Sequence, residues 1–174
     1  MDKKNYRRGV GMIIMNKDGL FWLGKRIGME AWQFPQGGID KGESAEDAMY
    51  RELYEETGLK KKSVEVLSVS NKWLVYHIPH VFQRYNKKFD GAMQKWYLLK
   101  LIGEDTDIDL QAIGHAEFDD WKWVDYWAPV DEVINFKKEV YEDMLKALAP
   151  VLFENEHSIP SKLSRPLQFS AIKL

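Results

Sequence analysis

The segment from residue 37 to residue 59 constrains this 174-residue chain more than any other part of its sequence. It begins with a glycine-rich turn and runs into a helix-forming stretch that carries Glu52, Glu55 and Glu56. Carboxylates spaced i, i+3 and i+4 project from one side of a helix, where like charges repel one another. A divalent cation bound among them removes this repulsion. Oxygen ligands without cysteine or clustered histidine favour Mg²⁺ or Mn²⁺ over zinc.

The helix that carries these acids is predicted to span about residues 45 to 57. Ser44 is followed three residues later by Asp47, a pattern typical of a capping box at a helix start. Gly58 is a natural residue for the position just after a helix, because it adopts the left-handed conformation without steric cost. Both ends of the helix are therefore marked in the sequence.

The acids are expected to face the protein body. At about 100° per residue, Glu52 lies on the same side of the helix as a stripe of small and apolar residues, namely Ala45, Ala48 and Met49. Arg51 precedes Glu55 by four residues and is expected to pair with that carboxylate and hold its rotamer. The alternative is a solvated, glutamate-rich helix, which is the usual fate of such a charge run.

The length and composition of the chain indicate one ordinary globular domain with a sizeable core. Hydrophobic residues make up 45% of the chain and charged residues 30%, and cysteine does not occur, so disulfides and thiolate chemistry are excluded. The sequence contains no long apolar run, which predicts no contact with a membrane and a cytoplasmic location. The net charge of −2 argues against a surface that coats nucleic acid, but it is compatible with a local basic groove.

The order of predicted elements indicates an α/β fold. Strands are predicted at residues 10–15, 20–26, 63–69, 73–76, 94–102 and 121–124, and a second, amphipathic helix at residues 131–150. We expect a domain over residues 5–150. Residues 151–174, which contain several prolines and serines, are expected to form an irregular or disordered tail.

The spacing Gly37-x5-Glu43-x7-Arg51-Glu52-Leu53-x-Glu55-Glu56-x-Gly58-Leu59 resembles the signature of the Nudix hydrolase family at nine specified positions. The resemblance implies a single domain built as an α/β/α sandwich around a mixed β-sheet. It also implies hydrolysis of a nucleoside diphosphate linked to another group. In this family the residues that match Glu52, Glu55 and Glu56 bind two or more divalent ions, with the carbonyl of the Gly37 position as a further ligand.

Flanking motifs narrow the resemblance to one branch of the family. The motifs are Trp32-Gln33-Phe34-Pro35-Gln36, Glu117-Phe118-Asp119 and Trp121-Lys122-Trp123-Val124. They resemble enzymes that remove pyrophosphate from the 5′ end of triphosphorylated RNA, an early step of mRNA decay. The same enzymes are also described as hydrolases of dinucleoside polyphosphates, such as diadenosine tetraphosphate, which would give ATP and AMP. A non-catalytic nucleotide-binding Nudix module is a third possibility, which the intact acid cluster disfavours. Dependence on a protein activator is left open.

Further residues are candidates for contacts with metal and substrate. By resemblance, Glu117 is a fourth metal-binding carboxylate, although most single glutamates are simply surface residues. Three cations could bind phosphate oxygens, namely Arg7, Arg26 and Lys95. The resemblance gives Phe136 a role in stacking on a base at the RNA 5′ end and lets Lys137 meet a phosphate. Alternatively, Phe136 belongs to the core and Arg26 is solvated.

The expected reaction is metal-assisted hydrolysis of a phosphoanhydride. A water molecule attacks phosphorus in line and a glutamate accepts its proton. Glu52 and Glu55 are both candidates for that role, and the sequence does not choose between them. Arg51 is expected to hold the catalytic carboxylate in place.

Overall fold

The computed structural model of this chain describes residues 5–82, 88–152 and 169–171, and a mixed β-sheet occupies the centre of these residues. The described strands are β1 (Tyr6–Met15), β2 (Phe21–Arg26), β3 (Trp32–Gln33), β4 (Gln36–Gly38), β5 (Val64–Ser70), β6 (Leu74–His77), β7 (Gly91–Leu101), β8 (Phe118–Val124) and β9 (Phe169–Ala171). The described helices are α1 (Ala45–Thr57), α2 (Ala128–Glu132) and α3 (Lys138–Leu152). Short 3₁₀ turns occur at Lys61–Ser63, His80–Phe82, Asp105–Asp107 and Asn135–Lys137.

Strand β1 organises the sheet. It pairs in parallel with β7 along its whole length, from Tyr6 opposite Gly91 to Met15 opposite Lys100. Its other edge pairs antiparallel with β4 and, at its end, with β2. The longest path through the described sheet is β3-β2-β1-β7-β5-β9, with β8 beside β2 and β6 beside β7. Parallel and antiparallel neighbours therefore meet in one sheet, which confirms the prediction of a mixed sheet.

Helices cover both faces of this sheet. Side chains alternate between the two faces along β1, as they must in a strand. Val10, Met12 and Ile14 belong to a core that includes residues of α1, whereas Ile13 belongs to a second core with residues of α3. Every one of these four β1 side chains is fully buried. The result is the predicted α/β/α sandwich, with the two helices held on opposite sides of the same strand.

The predicted helix over residues 131–150 is wrong in its first part. The chain forms α2, then turns through Val133 and Ile134 in an extended conformation, and forms a 3₁₀ turn before α3 begins at Lys138. The Val133 side chain is buried, so the apolar pattern of a helix continues through the break and conceals it. The break has a structural effect, because it redirects Phe136 and Lys137.

The predicted domain boundary and tail fall largely outside the described residues. Val151 and Leu152 complete α3, and Phe169–Ala171 form β9 antiparallel to β5, with Ser68 opposite Ala171. Residues 153–168 and 172–174 are not described. The limit at residue 150 and the irregular tail therefore remain predictions. Among the described residues, no helix combines the length and apolarity that crossing a membrane requires.

The ends of α1 confirm the predicted bounds. The Ser44 side chain accepts a hydrogen bond from the backbone N–H of Asp47 at 3.0 Å, and the helix spans Ala45–Thr57. Gly58 adopts the left-handed conformation with φ of 74°, and its N–H donates to the Tyr54 carbonyl at 2.8 Å. A Cβ at Gly58 would lie 2.7 Å from the Asp109 carbonyl oxygen, so both conformation and space require glycine here.

We predict that Gly58→Ala lowers the free energy of unfolding more than Gly19→Ala does. Gly19 is the matched control, because its φ is 77° but no atom lies within 4 Å of the Cβ position. Left-handed alanine costs about 1 kcal/mol or more at either site. The clash with Asp109 adds to this cost only at Gly58. Urea unfolding of both variants checks the prediction, and equal losses would contradict it.

Candidate active site

Strand β4 crosses the end of α1 that carries the acids. The backbone N–H of Gln36 donates to Oε2 of Glu56 at 2.9 Å. One residue later, a Cβ at Gly37 would lie only 1.8 Å from Cδ of Glu52. Only glycine leaves room for the carboxylate at this point. The Gly37 carbonyl oxygen in turn lies against Gly9 of β1, 2.5 Å from where a Cβ would stand. Two carboxylates and one backbone carbonyl are thus packed at one strand.

Arg51 joins the helix to the turn that precedes it. Its Nε and Nη2 donate to the two oxygens of Glu43 at 2.8 and 2.9 Å, which is a bidentate pair. Its other contacts reach the Gly38 carbonyl at 2.8 Å, Glu52 at 2.9 Å and Glu55 at 3.4 Å. The predicted pair with Glu55 is confirmed, but it is the longest of these contacts. The pair with Glu43 was missed, although Glu43 is a fixed position of the signature.

The two partners of this ion pair stabilise each other's charge. The Arg51 guanidinium, together with the backbone N–H of Asp40, lowers the pKa of Glu43 to about 2. The Glu43 carboxylate raises the pKa of Arg51 above its usual range. Glu43 therefore stays ionised at any physiological pH and keeps the guanidinium beside Glu52. Arg51 is held as a fixed positive group next to the acid cluster.

Glu56 carries the least favourable charge in the cluster. Its side chain is buried, with 6% of the residue exposed. Burial raises its pKa well above the usual value, and the negative charges of Glu52 and Glu117 raise it further. The Gln36 N–H and the field of Arg26 act in the opposite direction but do not compensate. Burial also raises the pKa of Glu52, which Arg51 partly offsets. The site therefore favours additional positive charge.

The donor set fits a divalent cation with hard oxygen ligands. The candidate ligands are the Gly37 carbonyl and the carboxylates of Glu52, Glu55, Glu56 and Glu117, with no sulfur or imidazole among them. In the part of the chain that the structure describes, no three acidic or histidine side chains already converge as a metal cage. Glu52 turns to Arg51, and Glu117 lies 3.5 Å from Arg26.

Two of the three predicted phosphate-binding cations lie at the acid cluster. The exposed Arg7 side chain crosses Gly38, where a Cβ would stand 2.4 Å from Nη2, and its charge acts on Glu52. Arg26 pairs with Glu117 and acts on Glu56. Cations and carboxylates therefore lie close together in one cluster, which suits an anion bound through a metal ion.

Lys95 occupies a different position. Its Nζ donates to the backbone carbonyls of Ser70 and Asn71 at 2.9 and 3.0 Å, at the turn between β5 and β6. Two of its three N–H donors are thus used within the fold. Among the described contacts, none joins Lys95 to the carboxylates, so its role in binding phosphate stays a prediction.

Phe136 and Lys137 lie on the 3₁₀ turn before α3 and point toward β6. The Phe136 ring is partly buried, and its centroid lies 6.1 Å from that of the Tyr76 ring and 5.2 Å from that of the Phe82 ring. Lys137 is buried, and its Nζ donates to Oε1 of Gln33 at 3.1 Å. Burial lowers the pKa of Lys137 to about 7, assisted by Arg26 and opposed by Glu56. This lysine therefore belongs to the interior of the site rather than to its surface.

Buried polar residues that sequence reasoning missed connect these groups. The Gln36 side-chain amide donates a hydrogen bond to the Tyr76 hydroxyl at 3.3 Å, and Oε1 of Gln33 accepts one from the Lys137 amine. The Tyr141 hydroxyl accepts from the Phe34 N–H at 3.0 Å. A signal was present, because two glutamines flank the apolar Phe34-Pro35 pair in the segment that leads to the glycine-rich turn.

A family model described as NUDIX domain matches residues 5–148. An RNA pyrophosphohydrolase of Ruthia magnifica subsp. Calyptogena magnifica is 49% identical over 176 residues, covering 100% of this chain and 98% of that protein.

Two solved structures are similar at lower identity. An E. coli dihydroneopterin triphosphate pyrophosphohydrolase has a TM-score of 0.64 at 21% identity, covering 82% of this chain and 98% of that chain. A binary complex of a C. elegans Ap4A hydrolase has a TM-score of 0.59 at 22% identity, covering 78% of this chain and 93% of that chain. At this level of identity the likeness supports the fold.

We predict that Glu56→Gln leaves the metal-free protein at least as stable as the wild type while removing its stabilisation by Mn²⁺. The pKa of the Glu56 carboxyl group in the folded protein is raised above its ordinary value of 4.5. Such a group lowers the free energy of unfolding as pH rises from about 4.5 to the raised pKa. The advantage of the amide should therefore grow as pH rises above about 4.5. Thermal unfolding between pH 5 and pH 9, with and without Mn²⁺, measures both effects.

Glu55→Gln is the control for this prediction, because the Glu55 side chain is 36% exposed. We expect its metal-free stability to change little. A large loss of stability in Glu56→Gln without metal would contradict the assignment of Glu56 as a buried charge that needs a cation.

Proposed function

This chain belongs to the NUDIX domain family, and we propose that it hydrolyses a phosphoanhydride at the 5′ end of triphosphorylated RNA, releasing pyrophosphate and leaving a 5′-monophosphate. The observation that carries the proposal is the cluster in which the carboxylates of Glu52, Glu56 and Glu117 lie close to the guanidinium groups of Arg7 and Arg26. A site with both signs of charge suits a polyanion bound together with metal ions. RNA as the substrate is supported by the relative from Ruthia magnifica, which is 49% identical in sequence and is named RNA pyrophosphohydrolase.

Divalent ions, which we propose to be Mg²⁺ or Mn²⁺, are held by the Gly37 carbonyl and by Glu52, Glu55, Glu56 and Glu117. When bound, they neutralise charge on the polyphosphate and make water a stronger acid. All the donors are oxygen atoms, and the buried position of Glu56 gives the site a strong preference for positive charge. We take residues 5–150 as the catalytic domain. With RNA as the substrate, the cytoplasm is the proposed location.

We assign Glu55 as the group that accepts the proton of the attacking water. Glu52 is 13% exposed and lies 2.9 Å from Arg51, so its position is fixed by the ion pair. Glu55 is more exposed, and its contact with Arg51 is 3.4 Å long. A less constrained and more accessible carboxylate is better suited to exchange a proton with water. Arg51 positions Glu52, and Glu43 positions Arg51.

The phosphates and the first base are expected to bind on the side of the site formed by β6 and the 3₁₀ turn before α3. Arg7 and Arg26 meet phosphate oxygens beside the carboxylates. The Phe136 ring, which packs at a tilt against Tyr76 and Phe82, offers an aromatic platform for a base. Lys137 supplies an amine directly beneath that ring, 6.0 Å from its centroid.

Hydrolysis of dinucleoside polyphosphates is the second candidate. The reaction at phosphorus would use the same residues, and the substrates differ only in the groups beyond the phosphates. A solved Ap4A hydrolase from C. elegans has a similar fold, which supports this second candidate. A non-catalytic role is less favourable, because a binding module has no need of a carboxylate buried like Glu56.

We predict that purified protein with Mg²⁺ converts triphosphorylated RNA to 5′-monophosphate RNA and pyrophosphate, with a higher kcat/KM than for diadenosine tetraphosphate. Side-by-side kinetics on both substrates measure the preference. Glu55→Gln, which removes the proton acceptor, should lower kcat by at least about 100-fold on either substrate with the fold intact. Preference for the dinucleotide would replace the first candidate by the second, and near-normal activity of Glu55→Gln would contradict the assignment of Glu55.

We predict that Phe136→Ala raises KM for RNA substrates by about 5-fold or more, because stacking on a base is worth roughly 1–3 kcal/mol. Phe136→Leu is the matched control, since it retains apolar volume against Tyr76 and Phe82 but has no aromatic face. Both variants should weaken RNA binding, and only Phe136→Ala should also lower thermal stability appreciably. Normal kinetics in both variants would show that Phe136 serves the core alone.

A further inference from the structure

Two buried side-chain carbonyl oxygens accept no hydrogen bond within the part of the chain that the structure describes. They are Oε1 of Gln36 on β4 and Oε1 of Gln94 on β7, and neither accepts a hydrogen bond from any residue that the structure describes. The Gln94 residue is only 3% exposed. Leaving a buried amide oxygen without a donor costs about 1–3 kcal/mol in general. Such an oxygen calls for a specific explanation.

Both oxygens belong to residues that adjoin the candidate metal ligands. The Gln36 backbone N–H donates a hydrogen bond to Oε2 of Glu56, and Gln36 immediately precedes Gly37. Gln94 lies opposite Gly9 in the pairing of β1 with β7. A Cβ added to Gly9 would lie 2.5 Å from the Gly37 carbonyl oxygen and 3.7 Å from Cγ of Gln94. The Gln94 side chain and the Gly37 carbonyl therefore both lie next to Gly9.

The chemistry of a hard divalent ion supplies the missing donors. Mg²⁺ gives up its hydration water reluctantly and usually keeps several water molecules when a protein binds it. Each of these molecules has O–H groups that need acceptors, and ligands one step removed from the metal commonly contribute about 10–100-fold to its affinity. An amide oxygen is a neutral acceptor, so it adds no further repulsion to a cluster that already holds several carboxylates.

We propose that Gln94 and Gln36 are positioning residues for the divalent ion, whose side-chain oxygens accept hydrogen bonds from its hydration water beside the Gly37 carbonyl. This inference rests on the proposed function, because it takes the acid cluster to be the metal site. It adds two residues outside the signature to that site. It also explains why two buried oxygens lack donors within the described protein.

Gln33 provides an internal contrast. Its residue is buried to nearly the same degree, at 4% exposed, but its Oε1 accepts from the Lys137 amine at 3.1 Å. A leucine in place of Gln33 would leave a buried amine without its acceptor. A leucine in place of Gln94 would remove an oxygen that has no donor in the described protein. Substitution by leucine should therefore lower the stability of the metal-free protein at Gln33 but not at Gln94.

The test compares Gln94→Leu, Gln94→Glu and Gln33→Leu with the wild type in the absence of RNA. Mn²⁺ affinity is measured by electron paramagnetic resonance of free Mn²⁺, and metal-free stability by thermal unfolding. We expect Gln94→Leu to bind Mn²⁺ about 10-fold more weakly while unfolding at the wild-type temperature or above. Gln94→Glu should retain Mn²⁺ affinity, because it keeps an acceptor oxygen, and Gln33→Leu should unfold at a lower temperature.

Two results would overturn the proposal. One is wild-type Mn²⁺ affinity in Gln94→Leu, and the other is a loss of metal-free stability in Gln94→Leu equal to that in Gln33→Leu. No step of the test uses RNA or turnover. A protein that fails to hydrolyse RNA but shows the expected Mn²⁺ affinities would reject the proposed substrate and keep this inference.

Discussion

The structure depends on the burial of negative charge where β4 crosses α1. Glu56 is taken almost completely out of water, and Glu52 lies against the backbone of Gly37 so closely that no Cβ would fit. A fold that encloses carboxylates in this way must supply compensating charge at defined positions. Arg51, held by Glu43, supplies part of it, and Arg7 and Arg26 supply more from neighbouring strands. The negative charge that remains favours a bound cation and is the basis on which we propose binding of a polyanion through metal ions.

The sandwich architecture explains how these charges meet at one place. Strand β1 contributes residues to both cores, so the helix with the acids and the helix preceded by Phe136 and Lys137 are fixed relative to the same strand. The break between α2 and α3 then turns Lys137 inward to Gln33. Rigid elements therefore carry most of the groups that we propose to contact the substrate and metal, which favours a site with defined geometry.

Local features of the fold were predictable from the sequence. The bounds of α1 follow from Ser44 and Gly58, which act within one turn of the helix, and the pair of Arg51 with Glu55 follows from helical spacing. The family signature indicated the acids and the glycine together. Features that depend on distant packing were not predictable.

The break at Val133 was hidden because a buried apolar residue fits either a helix or a turn. The burial of Lys137 depends on Gln33, which lies 104 positions earlier in the chain. The engagement of Lys95 by two backbone carbonyls likewise depends on the turn between β5 and β6. In each case the deciding contact joins residues whose proximity only the complete sheet creates.

The parallel pairing of β1 with β7 has a consequence for the order of folding. The start of β1 lies beside residues about 85 positions later, as the hydrogen bond from Asn5 to Asp90 illustrates. Contacts of such long range form late, because the chain must first close a large loop. Gly9 and Gly11 weaken the local preference of β1 for an extended strand, so this pairing is needed to order it. We therefore expect the proposed metal site, which includes Gly37 packed against Gly9, to form late in folding. A partly folded chain, which has the acids of α1 without the enclosure around them, is therefore expected to bind metal ions only weakly.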